Sequence, residues 1–263
     1  MLNLADCCLE GVRAIVSASV DFVYPPSCPF CGSEIPETVI RKSGRLSMID
    51  PELCMNCRSL IAANNSQSCR RCGAPVGPLL DTSNGCIHCR KERFHFHRAV
   101  CLGAYAGRLR SACLRGKQNG GRPLAAAMAG FLWEHQQLTL EQAGVDRVVA
   151  VPHHWTRRVW ANHNASETLA ETLARRLKVG FDRNILAKVR RTPAQVNLPP
   201  YRRRNNLRHA FQVSGKPALA GLTILLVDDV LTTGTTANEV SRALLRGGAD
   251  RVIVAVLARG IGR

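Results

Sequence analysis

The residues best suited to chemistry lie in the segment TILLVDDVLTTGTTANEV, residues 223–240, where two adjacent aspartates follow a short apolar run. Such a run, bounded by turn signals, is typical of a strand buried on both faces of a parallel sheet. Asp228 and Asp229 cannot both be charged in a dry core, so we expect them at the carboxyl end of that strand, where α/β folds bind ligands. Two carboxylates in such a crevice suit hydroxyl groups or a hydrated cation.

A loop of threonines around one glycine follows the aspartates. The loop consists of Thr232, Thr233, Gly234, Thr235 and Thr236. Because the next apolar residues, Val240, Leu244 and Leu245, have helical spacing, we place the loop at a helix N-terminus, where N–H groups, hydroxyls and the helix dipole suit a phosphate dianion. A ribose 5-phosphate carries both a diol and a phosphate. The alternative is an ordinary strand–turn–helix with threonine caps and solvated aspartates.

The run ILLVDDVLTTGTT resembles the phosphoribosyl-pyrophosphate (PRPP) signature of type I phosphoribosyltransferases. The resemblance implies that Asp228 and Asp229 bind the ribose 2′ and 3′ hydroxyls and that residues 232–236 bind the 5-phosphate. It also implies that Mg²⁺ accompanies PRPP, since this ion prefers phosphates to an all-protein cage.

Eight of the twelve cysteines form four C-x-x-C pairs within residues 28–89. One such pair brings two thiolates to a tetrahedral ion, and two pairs complete a Cys₄ site. CPFCG is followed by CMNCR, and CRRCG by CIHCR, so an internal repeat predicts two tandem zinc ribbons. The expected zinc ligands are Cys28, Cys31, Cys54 and Cys57 in the first ribbon and Cys69, Cys72, Cys86 and Cys89 in the second. Redox chemistry and an iron–sulfur cluster are the alternatives.

The ribbons are expected to be structural, because a segment of this size with few large apolar side chains needs metal to fold. The alternative is that they present a surface to nucleic acid or protein. We predict three parts of the chain: a helical segment over 1–26, the double zinc ribbon over 27–92 and an α/β domain over 93–263.

The chain of 263 residues has a net charge of +17, from 36 Lys and Arg against 19 Asp and Glu. This balance favours phosphate-rich partners, either polyphosphorylated small molecules or nucleic acid. We expect no transmembrane helix, because the sequence has no apolar run of 18 residues. The N-terminus lacks a basic stretch before its apolar residues, so we expect no signal peptide and a cytoplasmic protein.

Strand and helix patterns alternate after residue 93. Strands are predicted over 98–107, 146–152, 183–191, 224–227 and 251–259. Helices are predicted over 122–138, over 164–180 and after the signature loop. Alternation of this kind predicts an α/β fold with a parallel sheet and right-handed crossovers. Together with the signature, it gives a type I phosphoribosyltransferase-like sheet flanked by helices and preceded by the tandem ribbons.

Two further loops carry positive charge. VPHHWTRR, residues 151–158, follows a predicted strand and brings Arg157 and Arg158 to the expected ligand side, where they suit a pyrophosphate. Residues 190–211 form a polar segment with three prolines and the triplet 202–204 of arginines, including Arg203. A loop of this length is typical of a mobile lid. The alternative is that these arginines are solvated surface residues.

The whole pattern resembles the ComF family of double-zinc-ribbon, phosphoribosyltransferase-like proteins. The resemblance rests on FVYPP, the tandem cysteine pairs, AYAGRLRSACLRGKQNG, RTPAQVNLPPYRRRNNLRHAF and the signature. Lys117 and Arg203 stand where the family has the same residue types. The family usually has Arg-Gly-Phe-Asn-Gln where this chain has ANHNA, residues 161–165, so only Asn164 is retained.

The ComF resemblance implies a function. It implies transfer of a phosphoribosyl group from PRPP with release of pyrophosphate, using Asp228, Asp229, Arg157, Arg158 and Arg203 for catalysis and Lys117 in PRPP binding. It also implies a link to incoming DNA. The alternative is a non-catalytic protein that binds single-stranded DNA, or a scaffold for other DNA-uptake proteins, with the PRPP fold serving as a sensor.

Overall fold

A computed structural model describes residues 25–36, 51–62, 67–152, 164–190, 206–214 and 219–261. The helices are α1 (Met55–Ala62), α2 (Gly107–Gly116), α3 (Arg122–Gln142), α4 (Ala165–Leu177) and α5 (Thr235–Arg246). The strands are β1 (Arg98–Val100), β2 (Gly103–Ala104), β3 (Arg147–Ala150), β4 (Gly180–Phe181), β5 (Leu186–Lys188), β6 (Phe211–Val213), β7 (Thr223–Val227), β8 (Val230–Leu231), β9 (Arg251–Ala255) and β10 (Ala258–Arg259). None of the helices in these ranges combines the length and apolar character that a membrane crossing needs. The helical segment predicted for residues 1–26 lies almost entirely outside the described residues.

The central sheet has five strands in the order β1-β9-β7-β3-β4, and every pair in it is parallel. Strand β7, which carries the apolar run before the aspartates, is the middle strand. Its side chains alternate between two cores. Leu225 and Val227 pack with Leu132 and Leu169 of α3 and α4, whereas Leu226 packs with residues of α5. Because both faces are covered, residues 224–227 are apolar at every position rather than at every second one.

Three neighbouring strands continue beyond a bend into a second, smaller sheet. Its order is β2-β10-β8. Each of these strands directly follows a strand of the central sheet in the chain: β2 follows β1, β10 follows β9, and β8 follows β7. The signature aspartates occupy the bend between β7 and β8. The Asp228 N–H donates to the Ala255 carbonyl, and the Asp229 carbonyl accepts from the N–H of Leu257, at 3.0 Å each. The acidic pair is therefore held by backbone hydrogen bonds on its β9–β10 side.

Most of the elements predicted from the sequence are present, with different boundaries. The strands predicted over 98–107 and 251–259 are each broken in two, because the sheet bends at both places. The helix predicted over 164–180 ends at Leu177, where Lys178 takes a left-handed conformation with a φ of 58° and closes the helix. Helices α1 and α2 were not predicted.

One predicted strand is placed in a different sheet. Within the described residues 183–190 of the 183–191 prediction, the strand is Leu186–Lys188, and it pairs antiparallel with β6 rather than joining the parallel sheet. Its partner, Phe211–Val213, lies at the end of the segment that the sequence assigned to a lid. A short strand carries too little local pattern to specify its partner, so tertiary contacts decide this pairing.

The segment that carries the first four expected zinc ligands packs on the helices of the α/β domain. Phe30 belongs to the same hydrophobic cluster as Leu109 of α2 and Met128 of α3. The Arg115 guanidinium donates to the Phe30 carbonyl and lies over its ring, 5.1 Å from the centroid. The two predicted domains thus share one core along this contact.

Candidate functional site

The acidic pair is joined to a lysine at the end of α2. The Lys117 Nζ lies 2.7 Å from the Asp229 Oδ2, and the Asp229 side chain is mostly buried. Lys117 follows the last residue of α2 directly as its C-cap. Burial by itself would lower the pKa of Lys117, but the charge of Asp229, its hydrogen bond and the charge of Asp228 together outweigh burial and raise this pKa. Lys117 therefore stays protonated and offsets part of the negative charge at the bend.

Asp228 lies against the first turn of helix α4. Its Oδ1 accepts from the Ser166 hydroxyl at 3.1 Å and from the Asp229 N–H at 2.9 Å. Burial and the nearby negative charge of Asp229 raise the pKa of Asp228 to about 7. These hydrogen bonds favour the charged form but do not offset the burial. Asp228 therefore changes its protonation near neutral pH, and a ligand that donates hydrogen bonds or brings positive charge favours its ionised form.

The asparagine retained in ANHNA has a clear structural role. Asn164 is the N-cap of α4, and its side-chain oxygen accepts from the Ser166 N–H at 3.1 Å. Its amide group donates to the Glu167 carboxylate, at the spacing that the capping motif predicts. Capping fixes the first turn of α4, and that turn presents the Ser166 hydroxyl to Asp228.

The threonine loop lies at the N-terminus of α5, as the sequence predicts. Gly234 has a φ of 77°, a left-handed conformation that glycine adopts without strain. The Thr233 and Thr235 hydroxyls are 2.9 Å apart, and Thr232 and Thr233 are exposed to solvent. A Cβ at position 234 would lie 3.1 Å from the Phe94 ring, so the loop is closely packed on its other side. Exposed hydroxyls and helix N–H groups on one side suit an oxyanion.

A cavity of about 300 Å³ opens beside this loop. Thr233, Thr235 and Asn238 line one side of it, and the exposed side chains of Lys91 and Arg93 line the other. A hydrogen bond joins the two sides of the cavity, because the Asn238 side-chain oxygen accepts from the His95 N–H at 2.7 Å. Lys91 and Arg93, on either side of the predicted boundary between the zinc ribbons and the α/β domain, thus add two cations to the surroundings of the loop.

The first group of four cysteines consists of Cys28, Cys31, Cys54 and Cys57, whose Sγ atoms all lie within 4.8 Å of one another. The Sγ atoms of Cys31 and Cys54 are 3.6 Å apart. Four sulfurs at about 2.3 Å from a tetrahedral Zn²⁺ lie about 3.8 Å from each other, so the arrangement fits a zinc ion. Hydrogen bonds with Ser33 lower the pKa of Cys31 to about 6, whereas burial raises the pKa values of Cys54 and Cys57.

The second group is fully buried. It consists of Cys69, Cys72, Cys86 and Cys89, again with all Sγ atoms within 4.8 Å of one another. The Sγ separations are 3.7 Å for Cys69 with Cys89 and 3.7 Å for Cys72 with Cys86. These distances also fit a tetrahedral Zn²⁺. Both groupings of four that the sequence repeat predicts are therefore present, and each can bind a structural zinc ion.

The structure brings some of the predicted site residues together and leaves others undescribed. Asp228, Asp229 and Lys117 lie together at the bend, and the loop 232–236 follows them at the start of α5. Arg157, Arg158 and Arg203 lie outside the described residues, as do most of the proposed lid and the arginine triplet.

Two residues near the site were not found from the sequence. A serine in the first turn of a helix is common, so the sequence gives no signal for Ser166. Arg259 is predicted only as the last residue of a strand. A charged residue at the end of the apolar run VIVAVLAR is a signal that could have indicated a residue near the site. Arg259 is buried and donates to the carbonyls of Leu231 and Thr232 beside the loop.

Comparisons with known proteins bear on the family of this chain. A family model described as the phosphoribosyl transferase domain matches residues 163–263. The DNA utilization protein YhgH of Salmonella typhi is 33% identical over 195 residues, which cover 73% of this chain and 83% of the relative. Competence protein F of Haemophilus influenzae is 29% identical over 82% of this chain and 94% of the relative. The chain belongs to the ComF family.

Among solved structures, a glutamine PRPP amidotransferase from B. subtilis has a TM-score of 0.35 and 18% identity, covering 60% of this chain and 31% of that chain. Membership of the ComF family rests on the sequence relatives, which span most of the chain. The fold is that of a phosphoribosyltransferase-like parallel sheet with two Cys₄ groups before it.

Proposed function

We propose that this ComF protein binds PRPP and transfers its phosphoribosyl group to an acceptor with release of pyrophosphate. The observation that carries the proposal is the bend between β7 and β8, where Asp228, Asp229 and Lys117 converge directly before a loop at the start of α5. A diol and a phosphate on one small molecule match this order of groups. The family model for the phosphoribosyl transferase domain supports the same ligand.

In the proposed mechanism the protein positions PRPP and stabilises charge, without forming a covalent intermediate. The loop 232–236 holds the 5-phosphate, and the two carboxylates accept hydrogen bonds from the ribose hydroxyls. Their negative charge, close to the ribose, favours the oxocarbenium character that develops when the bond from C1 to pyrophosphate breaks. Lys117 balances Asp229 before the ligand arrives. Mg²⁺, when bound with PRPP, would neutralise part of the pyrophosphate charge.

Arg157, Arg158 and Arg203 complete this proposal as cations for the leaving pyrophosphate. For Arg157 and Arg158 the support comes from chain order, since 151–158 follows the carboxyl end of β3, a neighbour of β7 in the sheet. Arg203 is included on the resemblance to the ComF family. The loop after such a strand opens on the ligand side of a parallel sheet. We further propose zinc as the metal of both Cys₄ groups, and the boundaries 27–92 and 93–263 for the two domains.

A binding experiment tests the ligand. PRPP, and ribose 5-phosphate more weakly, should raise the melting temperature in the presence of Mg²⁺, because a ligand that binds only the folded state stabilises it. The double substitution Asp228→Asn and Asp229→Asn should remove most of this shift, whereas Asp250→Asn, an exposed position before β9, should retain it. No shift for the wild type at millimolar PRPP would refute PRPP binding.

Turnover requires a separate measurement. Consumption of PRPP and release of pyrophosphate should be followed with a panel of acceptors, with and without single-stranded DNA. Elemental analysis should find about two zinc ions per chain, because eight thiolates fill two tetrahedral sites. Iron, or less than one zinc in carefully handled protein, would contradict the two-ribbon proposal.

A second candidate function is binding of single-stranded DNA. It is favoured by the net charge of +17 and by the names of the relatives, a DNA utilization protein and a competence protein. Contacts to phosphates would make the affinity fall steeply with salt, by about 0.7 log units per log unit of salt for each phosphate. Replacing Arg202, Arg203 and Arg204 with alanine should reduce that slope if they contact DNA, and should reduce PRPP turnover if they form a catalytic lid.

A further inference from the structure

Arg259, at the end of β10, connects the second Cys₄ group to the phosphate loop. Its Nε donates to the carbonyl of Cys72, a member of that group, at 3.1 Å. Its Nη1 donates to the carbonyl of Leu231 at 3.0 Å and also to that of Thr232. One guanidinium thus contacts the backbone of a cysteine pair and the first residue of the loop.

The burial of Arg259 makes both sets of contacts necessary. Only 5% of the residue is exposed, and a guanidinium remains charged in a protein. A buried charge is costly unless its donors are satisfied. Within the described part of the chain, the hydrogen bonds of Arg259 go to backbone carbonyls. If the Cys72 segment moves away, Nε loses its acceptor, and if residues 231–232 move away, Nη1 keeps only the Gly260 carbonyl. The positions of the two segments therefore depend on each other through Arg259.

The cysteine pair is fixed against the rest of the sheet as well. The Cys101 thiol donates to the Gly73 carbonyl at 3.1 Å, and a Cβ at position 73 would lie 3.3 Å from the carbonyl oxygen of Ala99. A second route to the loop runs through Phe94, which packs against Gly234 on one side and under the Arg71 guanidinium on the other. The turn that carries Cys69 and Cys72 is therefore close to strand β1 and is linked to the loop through Arg259 and Phe94.

We propose that Arg259 is a positioning residue that links metal occupancy of the second Cys₄ group to the conformation of the phosphate loop. With metal bound, the Cys69–Cys72 turn is held in place, and Arg259 in turn holds residues 231–232. Without metal, four buried thiols no longer hold that turn, and the loop loses one of its supports. Coupling between two sites is reciprocal, so a ligand in the loop slows metal loss from the second group.

Hydrogen exchange of the full-length zinc-loaded protein tests the link without any ligand. In the wild type, removal of zinc with a chelator should speed amide exchange in residues 231–236 by about 5- to 150-fold, the usual range of coupling between sites. In Arg259→Met this segment should exchange fast from the start and respond little to zinc removal. Arg58→Met is the matched control, because Arg58 contacts Glu134 and the Phe131 ring of α3 rather than the loop, and it should behave as the wild type.

Arg259→Lys tests whether the link needs the guanidinium geometry or only a positive charge. It also replaces the methionine variant if that variant fails to fold. Lysine keeps the positive charge but lacks the planar fork that spans the Cys72 and Leu231 carbonyls. We expect it to weaken the link, as the methionine variant does. Wild-type exchange and wild-type response to zinc in Arg259→Lys would show that only charge matters and would overturn the proposal. So would a wild-type loop that ignores zinc removal.

The reciprocal arm rests on the proposed function, because it uses ribose 5-phosphate as the probe. Zinc release to a chromogenic chelator should slow when ribose 5-phosphate is added to the wild type and should be insensitive to it in Arg259→Lys. If calorimetry detects no binding of ribose 5-phosphate by the wild type, the proposed ligand is wrong, and the exchange experiment alone decides the role of Arg259. If the sugar phosphate binds and zinc release does not change, the link is refuted.

Discussion

The Nζ of Lys117 lies 2.7 Å from the Oδ2 of Asp229, so the acidic pair of the signature is partly neutralised by the end of helix α2. Asp228 receives no such charge at contact distance among the described salt bridges, and it bonds to Ser166 instead. The two adjacent aspartates therefore differ in their surroundings. One is paired with a cation, whereas the pKa of the other is raised by burial and by its neighbour.

Replacing Lys117 with methionine should destabilise the protein at pH 8, because the carboxylates would then repel each other without compensation. Since Lys117 is 41% exposed in its side chain, solvent screening limits the loss to about 1 kcal/mol. For a chain of this size that corresponds to a melting temperature lower by about 2–4 °C. Arg108→Met, an exposed position on the same helix, is the control. An equal loss in both variants, or no loss for Lys117→Met, would contradict this role.

The raised pKa of Asp228 predicts a pH dependence of stability. The folded state holds the proton up to about pH 7, whereas an unfolded aspartate releases it near pH 4. Stability supplied by the protonated form is therefore present below about pH 4 and lost as the pH rises through 7. Asparagine does not titrate, so Asp228→Asn lacks this loss of stability. The difference in melting temperature, variant minus wild type, should therefore be larger at pH 8 than at pH 5. Asp250→Asn, which is exposed, should show no such trend, and parallel pH profiles for Asp228→Asn and wild type would refute the prediction.

The N-cap of α4 offers a third test. Asn164→Ala removes the acceptor for the Ser166 N–H and should cost about 1 kcal/mol of folding free energy, measured by urea denaturation. Asn164→Ser keeps a capping oxygen and should retain most of the stability. Because the cap holds the turn that carries Ser166 to Asp228, the alanine variant should also bind ribose 5-phosphate more weakly. Equal stability of the alanine and serine variants would show that capping is not its role.

The two Cys₄ groups should differ in how readily they lose metal. Cys31 of the first group is exposed and Cys54 is partly exposed, whereas all four cysteines of the second group are buried. A chelator reaches exposed ligands first, so zinc release should occur in two phases of equal amplitude. Cys31→Ser should abolish the fast phase and Cys72→Ser the slow one. A single phase that accounts for both ions would contradict this assignment.

The sequence alone determined the local chemistry of this protein. The spacing of the cysteine pairs gave both metal groups, because two thiolates of a C-x-x-C turn reach one ion wherever the turn lies in the fold. The unbroken run Ile224–Val227 gave a central strand, because only a strand covered on both faces is apolar at every position. The threonines after it gave the loop at the start of α5. Each of these patterns is complete within a few residues.

Tertiary structure decided which distant side chains meet the local patterns. Lys117, Ser166 and Arg259 come to the signature from three separate elements, and they contact it where the sheet bends at Asp228 and Asp229 or in the residues that follow. A bend in three neighbouring strands depends on their hydrogen bonding to one another. Such a bend leaves little trace in the sequence of any single strand. The sequence therefore predicted one strand over 98–107 and one over 251–259, where the structure has two in each. The division of the aspartates into a paired and a protonatable carboxylate follows from packing, and no pattern of neighbouring residues encodes it.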